Sequence, residues 1–98
     1  MEVEFQDSRL DTLETDSSFT AGYAPALVSA FRRRMQQIRA AVDERDFYAL
    51  RSFHFEKLKG SRSHQHSIRL NIQWRLILEF DASTAPKTVI VVGIEDYH

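Results

Sequence analysis

Six side chains in the second half of the chain have the types that metal-free RNA cleavage needs: Lys59, Arg69, Arg75 and the run Asp96-Tyr97-His98. In that reaction the ribose 2′-hydroxyl is the internal nucleophile. It needs a base, cations for the charge that develops on the phosphorane, and an acid for the departing 5′-oxygen. Carboxylate, imidazole, ammonium and guanidinium groups cover those roles, and an aromatic ring adds a surface for base stacking. Other chemistries lack their residues. Gly22, Gly60 and Gly93 are the only glycines and form no phosphate loop. Without cysteine there is no thiolate zinc site and no disulfide. His64 and His66 stand two apart, but no carboxylates accompany them at metal-ligand spacing, so they read as a polar turn. No serine sits in a nucleophile elbow. No metal and no cofactor are expected.

These side chains need elements to hold them, and the hydrophobic spacing supplies the outline. Val3 and Phe5 alternate with Glu2 and Glu4, a short opening strand. Asp7 caps a short helix over 8–14 with Leu10 and Leu13 as its apolar contacts. Pro25 suits a first helical turn, and Leu27, Val28, Phe31, Met35, Ile38, Ala41 and Val42 then recur at helical spacing. The spacing predicts a helix over roughly 23–43, with Arg32, Arg33, Gln36, Gln37 and Arg39 on its polar side. Asp46 to Arg51 suits one further turn. After that the period becomes two. Phe53 and Phe55 alternate with His54 and Glu56, and residues 59–62 make a turn. Residues 67–71 and 74–80 alternate again, 81–87 is a loop, and 88–94 is a β-branched run that reads as an interior strand. The run feeds directly into Asp96-Tyr97-His98, which argues for an anchored rather than a frayed end.

Helices first and strands afterwards predict an α+β domain over 1–98, with N-terminal helices on one face of a four- or five-stranded, mostly antiparallel sheet. If Ile68, Leu70, Trp74, Leu76 and Leu78 face the helices, Arg69 and Arg75 share the open face on adjacent strands. Two opposed guanidiniums repel, so either an anionic partner joins them or they pair with Glu79 or Glu56.

With 98 residues, 43% of them hydrophobic and 28% charged, the chain matches one globular domain rather than a disordered or fibrous one. No apolar run reaches the length of a transmembrane helix, and the acidic Met1-Glu-Val-Glu-Phe5 start does not read as a targeting peptide. A cytoplasmic protein without membrane contact is expected. The net charge of −1 hides segregation: −5 over residues 1–30, +7 over 31–75 and −3 over 76–98. A basic middle third offers one face to an anionic partner such as RNA.

The ordered set Leu58-Lys59-Gly60-Ser61-Arg62, His66-Ser67-Ile68-Arg69-Leu70-Asn71, Gln73-Trp74-Arg75-Leu76 and Asp96-Tyr97-His98 resembles the HigB-type toxins of the RelE/ParE superfamily, also called plasmid maintenance killer proteins. The resemblance implies a RelE-like microbial RNase-type fold and a ribosome-dependent endoribonuclease that cuts mRNA during translation. It implies a cognate helix-turn-helix antitoxin of the HigA kind, which neutralises the toxin, and contact with operator DNA only through that antitoxin. Lys59 then corresponds to a lysine on substrate phosphate, and Arg75 to the arginine that stabilises transition-state charge. Asp96 and His98 correspond to acid–base groups, Tyr97 to a stacking or positioning group. Arg69, and Arg62 after it, correspond to phosphate-binding arginines. Some members carry a histidine three residues before the lysine; here that position is Glu56, a candidate base or a partner for Arg75. His54, two residues earlier, is expected on the same strand face as Glu56. The same resemblance leaves a gyrase poison of the ParE kind, or a non-catalytic ribosome- or RNA-binding module, as alternatives.

Overall fold

The computed structural model describes residues 1–96; Tyr97 and His98 lie outside the described residues. Strand β1 (Val3–Phe5) leads into helices α1 (Ser8–Thr15), α2 (Pro25–Ala40) and α3 (Arg45–Ala49). Strands β2 (Glu56–Lys57), β3 (His66–Arg69), β4 (Trp74–Asp81) and β5 (Thr88–Asp96) follow. They form one five-stranded sheet in the order β1-β5-β4-β3-β2. The β1–β5 pair is parallel and the other pairs are antiparallel. The α+β architecture and the mostly antiparallel sheet therefore match the expectation.

The helices form for reasons visible in the sequence. Asp7 caps α1, its Oδ1 accepting from the Arg9 amide at 2.9 Å, and Pro25 opens α2. Leu10 and Leu13 of α1 and Leu27, Val28, Phe31, Met35 and Ile38 of α2 are buried. They meet Ile68, Leu70, Leu76, Leu78, Val89 and Val91 from the sheet in one core. Trp74 packs against that core half-buried rather than inside it, with its ring 6.3 Å edge-on from Tyr23. α2 stops at Ala40, short of the expected end near 43. Ala41 is extended, the Met1 amino group donates to the Arg39 and Ala41 carbonyls at 3.0 and 2.7 Å, and Asp46 accepts from the Val42 amide at 2.8 Å.

Two features go beyond the outline. The polar side of α2 takes part in the packing of α1. Arg32 donates to the carbonyls of Leu13, Asp16 and Phe19 at 3.0, 2.9 and 3.2 Å and so serves the C-terminal end of α1, where carbonyls lack helical partners. Arg39 forms a two-pronged ion pair with Glu14 at 2.6 and 2.7 Å. Part of the basic middle third thus neutralises the acidic first third from within. The second corrects the reading of residues 51–55, where alternation suggested a strand. Arg51–Phe53 form a 3₁₀ turn, and His54 is left-handed at φ 44°. Phe53 turns into the core beside Phe47, with centroids 5.5 Å apart, and leaves β2 only two residues long.

Candidate functional site

The register builds the open face of the sheet in two rows. Arg69 of β3 faces Arg75 of β4, and Arg75 faces Glu95 of β5. In the next row Glu56 faces Ser67, and Ser67 faces Ile77. The period-two prediction that Arg69 and Arg75 share this face holds.

A bulge sets the third member of the first row. Ile77 pairs with Gly93, but Leu78 pairs with Val91, so Val92 has no opposite number. The extra residue reverses the phase of β5 beyond it. Val89 and Val91 face the helices before the bulge, and Ile94 does so after it, opposite Leu76. Glu95 is thereby aimed at the open face, as bulges beside functional sites often aim side chains. Asp96 falls in register with Trp74 and accepts from the Gln73 side chain at 3.1 Å.

Arg75 is the centre of the arrangement and is only 7% exposed. Its Nε donates to Ser67 Oγ at 2.8 Å and its Nη2 to the His54 carbonyl. The left-handed backbone at His54 lets a carbonyl leave the 3₁₀ turn in that direction, a conformation that costs a non-glycine residue energy. Glu56 stands beyond, its carboxylate 3.7 Å from Arg75 Nη2 and half-exposed. Arg69 donates through Nε to the Asn71 carbonyl at 3.2 Å, and its Nη1 lies 3.3 Å from His54 Nε2.

Arg34 holds these arms together from below. This arginine of α2 is buried, donating to the Arg69 carbonyl at 2.9 Å and to the Ser52 carbonyl at 3.2 Å. Its guanidinium carbon also sits 5.4 Å from the centre of the Phe53 ring. Burial, reinforced by neighbouring Arg33, pushes its pKa down from the ordinary arginine value. One side chain thus fixes both the end of β3 and the segment that carries His54.

Two clefts open on either side of Arg75. The first, about 290 Å³, is lined by His54, Glu56, Arg69, Asn71, Ile72 and Arg75. The second, about 180 Å³, is lined by Leu58, Arg62, Ser67, Arg75, Ile77, Glu95 and Asp96. Arg62 is brought to the second cleft but is engaged there by Glu95, at 2.9 and 2.7 Å, and by Gln65 at 2.9 Å. The carboxylate of Glu95 raises the Arg62 pKa further. Lys59 is exposed, precedes the left-handed Gly60 (φ 67°) of the turn, and lines neither cleft. Tyr97 and His98, the remaining sequence candidates, lie outside the described residues.

Arg69, Arg75, Glu56 and His54 line one cleft, and His54 arrives there from a turn and not from the strand expected. The sequence reading missed Ser67, Glu95, Ile72 and Arg34. Ser67 had a legible signal, since period two puts it on the face of Arg69. Arg34 had one too, because it falls between Phe31 and Met35 on the apolar stripe. The aim of Glu95 depends on the bulge.

Taken together, these features define a small α+β domain whose open sheet face presents a cationic centre with carboxylates and an imidazole around it. The fold is that of bacterial toxins. A toxin described as YoeB/ParE from Agrobacterium tumefaciens superposes with a TM-score of 0.59 at 16% identity, covering 100% of both chains. The RelBE2 toxin–antitoxin complex of Mycobacterium tuberculosis gives a TM-score of 0.53 at 17% identity, over 98% of this chain and 96% of that one. A search of curated proteins returns no match. The family model for the RelE-like toxin of the type II toxin–antitoxin system HigB matches residues 3–98. The chain belongs to this HigB-like toxin family. Among the described residues, no helix is long and apolar enough to cross a membrane.

Proposed function

We propose that this toxin is an endoribonuclease that cuts mRNA on the ribosome through attack of the 2′-hydroxyl on the adjacent phosphate. The observation that carries the reading is the opposition of Arg69 and Arg75 on the open face, with Arg75 buried and aimed by Ser67 and the His54 carbonyl. Two facing guanidiniums repel, Glu56 shares their charge from 3.7 Å off Arg75, and a phosphodiester adds an anion with a geometry suited to planar forks. A preorganised cation in a partly dry site stabilises the extra negative charge of the phosphorane more than it stabilises the ground state.

Each role then falls to a named group. Arg75 holds the non-bridging oxygens in the transition state and Arg69 binds the phosphate beside it. Glu56 faces the same cleft and accepts the 2′-hydroxyl proton. His54 borders that cleft and contacts the RNA chain. In-line displacement puts the leaving 5′-oxygen on the side opposite the attacking oxygen, towards the second cleft. Asp96 lines that cleft, and Asp96 and His98 are the candidate acids for the leaving oxygen, with Tyr97 as the stacking or positioning group. Lys59 guides the RNA backbone from the turn that borders the second cleft, and Arg62 joins it where it exchanges Glu95 for phosphate.

A cognate antitoxin is the natural partner of a family defined by toxin–antitoxin systems, and the similarity to the toxin of the RelBE2 complex supports one here. A helix-turn-helix antitoxin that carries the pair to operator DNA completes the reading, with the cytoplasm as its place.

Primer extension on a defined mRNA in a purified translation system tests the proposal. Cuts that need both ribosomes and wild-type toxin, and that disappear with Arg75→Ala, are expected. Intact mRNA in every lane, with a DNA-damage response on expression, points instead to a gyrase poison.

A further inference from the structure

Ile72 is the most exposed large hydrophobic side chain among the described residues, at 85%, and it lines the cleft of Arg69 and Arg75. A single exposed isoleucine needs no explanation on an ordinary surface. This one sits on a turn built to keep it out. Asn71 Oδ1 accepts from the amides of Gln73 and Trp74 at 2.9 and 2.8 Å. The Leu70 and Asn71 amides donate to the Trp74 carbonyl at 2.9 and 3.3 Å. The Asn71 carbonyl takes Arg69 Nε, and the Gln73 side chain is tied to Asp96. The turn between β3 and β4 is therefore closed on itself and joined to both flanks of the site. These bonds hold the backbone on both sides of Ile72 at the rim of the cleft. Its β-branched side chain also has little rotamer freedom to lose on contact.

We propose that Ile72 is a specificity-determining residue that packs against the face of a nucleobase of the bound mRNA, next to the phosphate held by Arg69 and Arg75. The inference rests on the nuclease reading. A phosphate in the cleft places the attached sugars at its rim, with their bases pointing outward. A base face is flat and apolar, and besides the His54 imidazole the rim otherwise offers charged and amide groups. An isoleucine there supports an unstacked base, which favours nucleotides with larger ring faces.

The test uses the full chain with programmed ribosomes. Wild type, Ile72→Ala and Ile72→Leu are compared by single-turnover cleavage over a range of toxin concentrations, by mapping of all cut sites, and by thermal melting. Ile72→Ala is expected to need about tenfold more toxin for half-maximal rate, consistent with lost apolar burial of this size. Its plateau rate should stay near wild type, its cuts should spread over more sites, and its melting point should not move. Ile72→Leu should restore affinity and cut pattern. Unchanged half-maximal concentration and cut pattern in Ile72→Ala, with an active wild type, overturn the assignment. An equal loss of binding to ribosomes that carry no mRNA also overturns it, since the contact is then to the ribosome. A wild type that never cuts defeats the nuclease reading itself.

Discussion

Arg75 and Glu95 lie directly opposite each other across β4 and β5, and Glu95 gives both carboxylate oxygens to Arg62. The cationic centre is therefore bordered by an internal anion, and Arg62 is held by a carboxylate where the sequence reading placed RNA phosphate. Removing that anion tests how the charges are shared. Glu95→Gln should change stability little, because the ion pair is about half-exposed and such pairs contribute about 0–1 kcal/mol. RNA affinity should rise at low salt. The plot of log affinity against log salt should steepen by about one phosphate contact as Arg62 becomes available. A salt titration of RNA binding reads both effects.

Arg75 has a structural role beside the catalytic one proposed for it. Ser67 is fully buried, and Arg75→Ala strands its hydroxyl. A loss of about 1–3 kcal/mol in stability is expected alongside loss of cleavage. Arg75→Lys keeps the charge but not the fork, so cleavage should fall at least about tenfold while the fold persists. Denaturant melts beside cleavage rates separate the two effects.

His54 contributes a carbonyl and an imidazole, and one substitution separates them. Glycine adopts φ near 44° freely, so His54→Gly keeps the carbonyl on Arg75 and relieves the backbone. Stability should hold or rise by a few tenths of a kcal/mol, the balance between relieved left-handed strain and the extra entropy glycine gives the unfolded chain. Cleavage should drop, since the imidazole beside Arg69 is gone. His54→Val should lower stability, because a β-branched residue is strained in this conformation.

Arg34 is the support beneath the site. Arg34→Met keeps bulk but leaves the Arg69 and Ser52 carbonyls without their donor. A loss of about 3 kcal/mol is expected from two charge-assisted hydrogen bonds. Residual cleavage should be weaker than the remaining folded fraction accounts for, because both arms of the cleft lose their tie.

His66 gives the fold a pH dependence. Its ring stacks on Phe55 at 4.9 Å and meets Phe80 edge-on at 5.2 Å, and its Nδ1 is buried without a hydrogen-bond partner among the described residues. Burial depresses its pKa below the ordinary histidine value of 6.5, outweighing the opposing pull of Glu44; Lys57 and Lys87 add to the depression. The unfolded chain therefore binds a proton more readily than the folded one. This contribution to stability is complete above pH 6.5 and is lost as the pH falls through the lower folded-state value. Melting curves of wild type between pH 7.5 and 5 should show a fall that His66→Phe reduces.

The elements that carry long, regular patterns were legible in the sequence. The helical stripe of α2 and the alternation in β3 and β4 fix the two faces of the sheet, and with them the meeting of Arg69 and Arg75. What was hidden depends on tertiary contact. Phe53 has the same alternating neighbourhood as a strand residue, but packing against Phe47 draws its segment into a 3₁₀ turn. The continuous β-branched run of β5 gives no sign of the bulge at Val92, which arises only in pairing with β4. Arg34 stands out on the apolar stripe of α2, but its carbonyl partners, from β3 and the turn before His54, are visible only in the fold.

The central claim is that a ribose hydroxyl attacks a phosphate held by Arg75. An mRNA carrying a single 2′-deoxynucleotide at a mapped cut site, translated with the purified toxin, tests it most directly. The account predicts that cleavage disappears at that site alone, persists at neighbouring ribonucleotide sites, and elsewhere leaves 2′,3′-cyclic phosphate ends. Continued cutting at the deoxy position, or mRNA that stays intact with or without ribosomes, contradicts it.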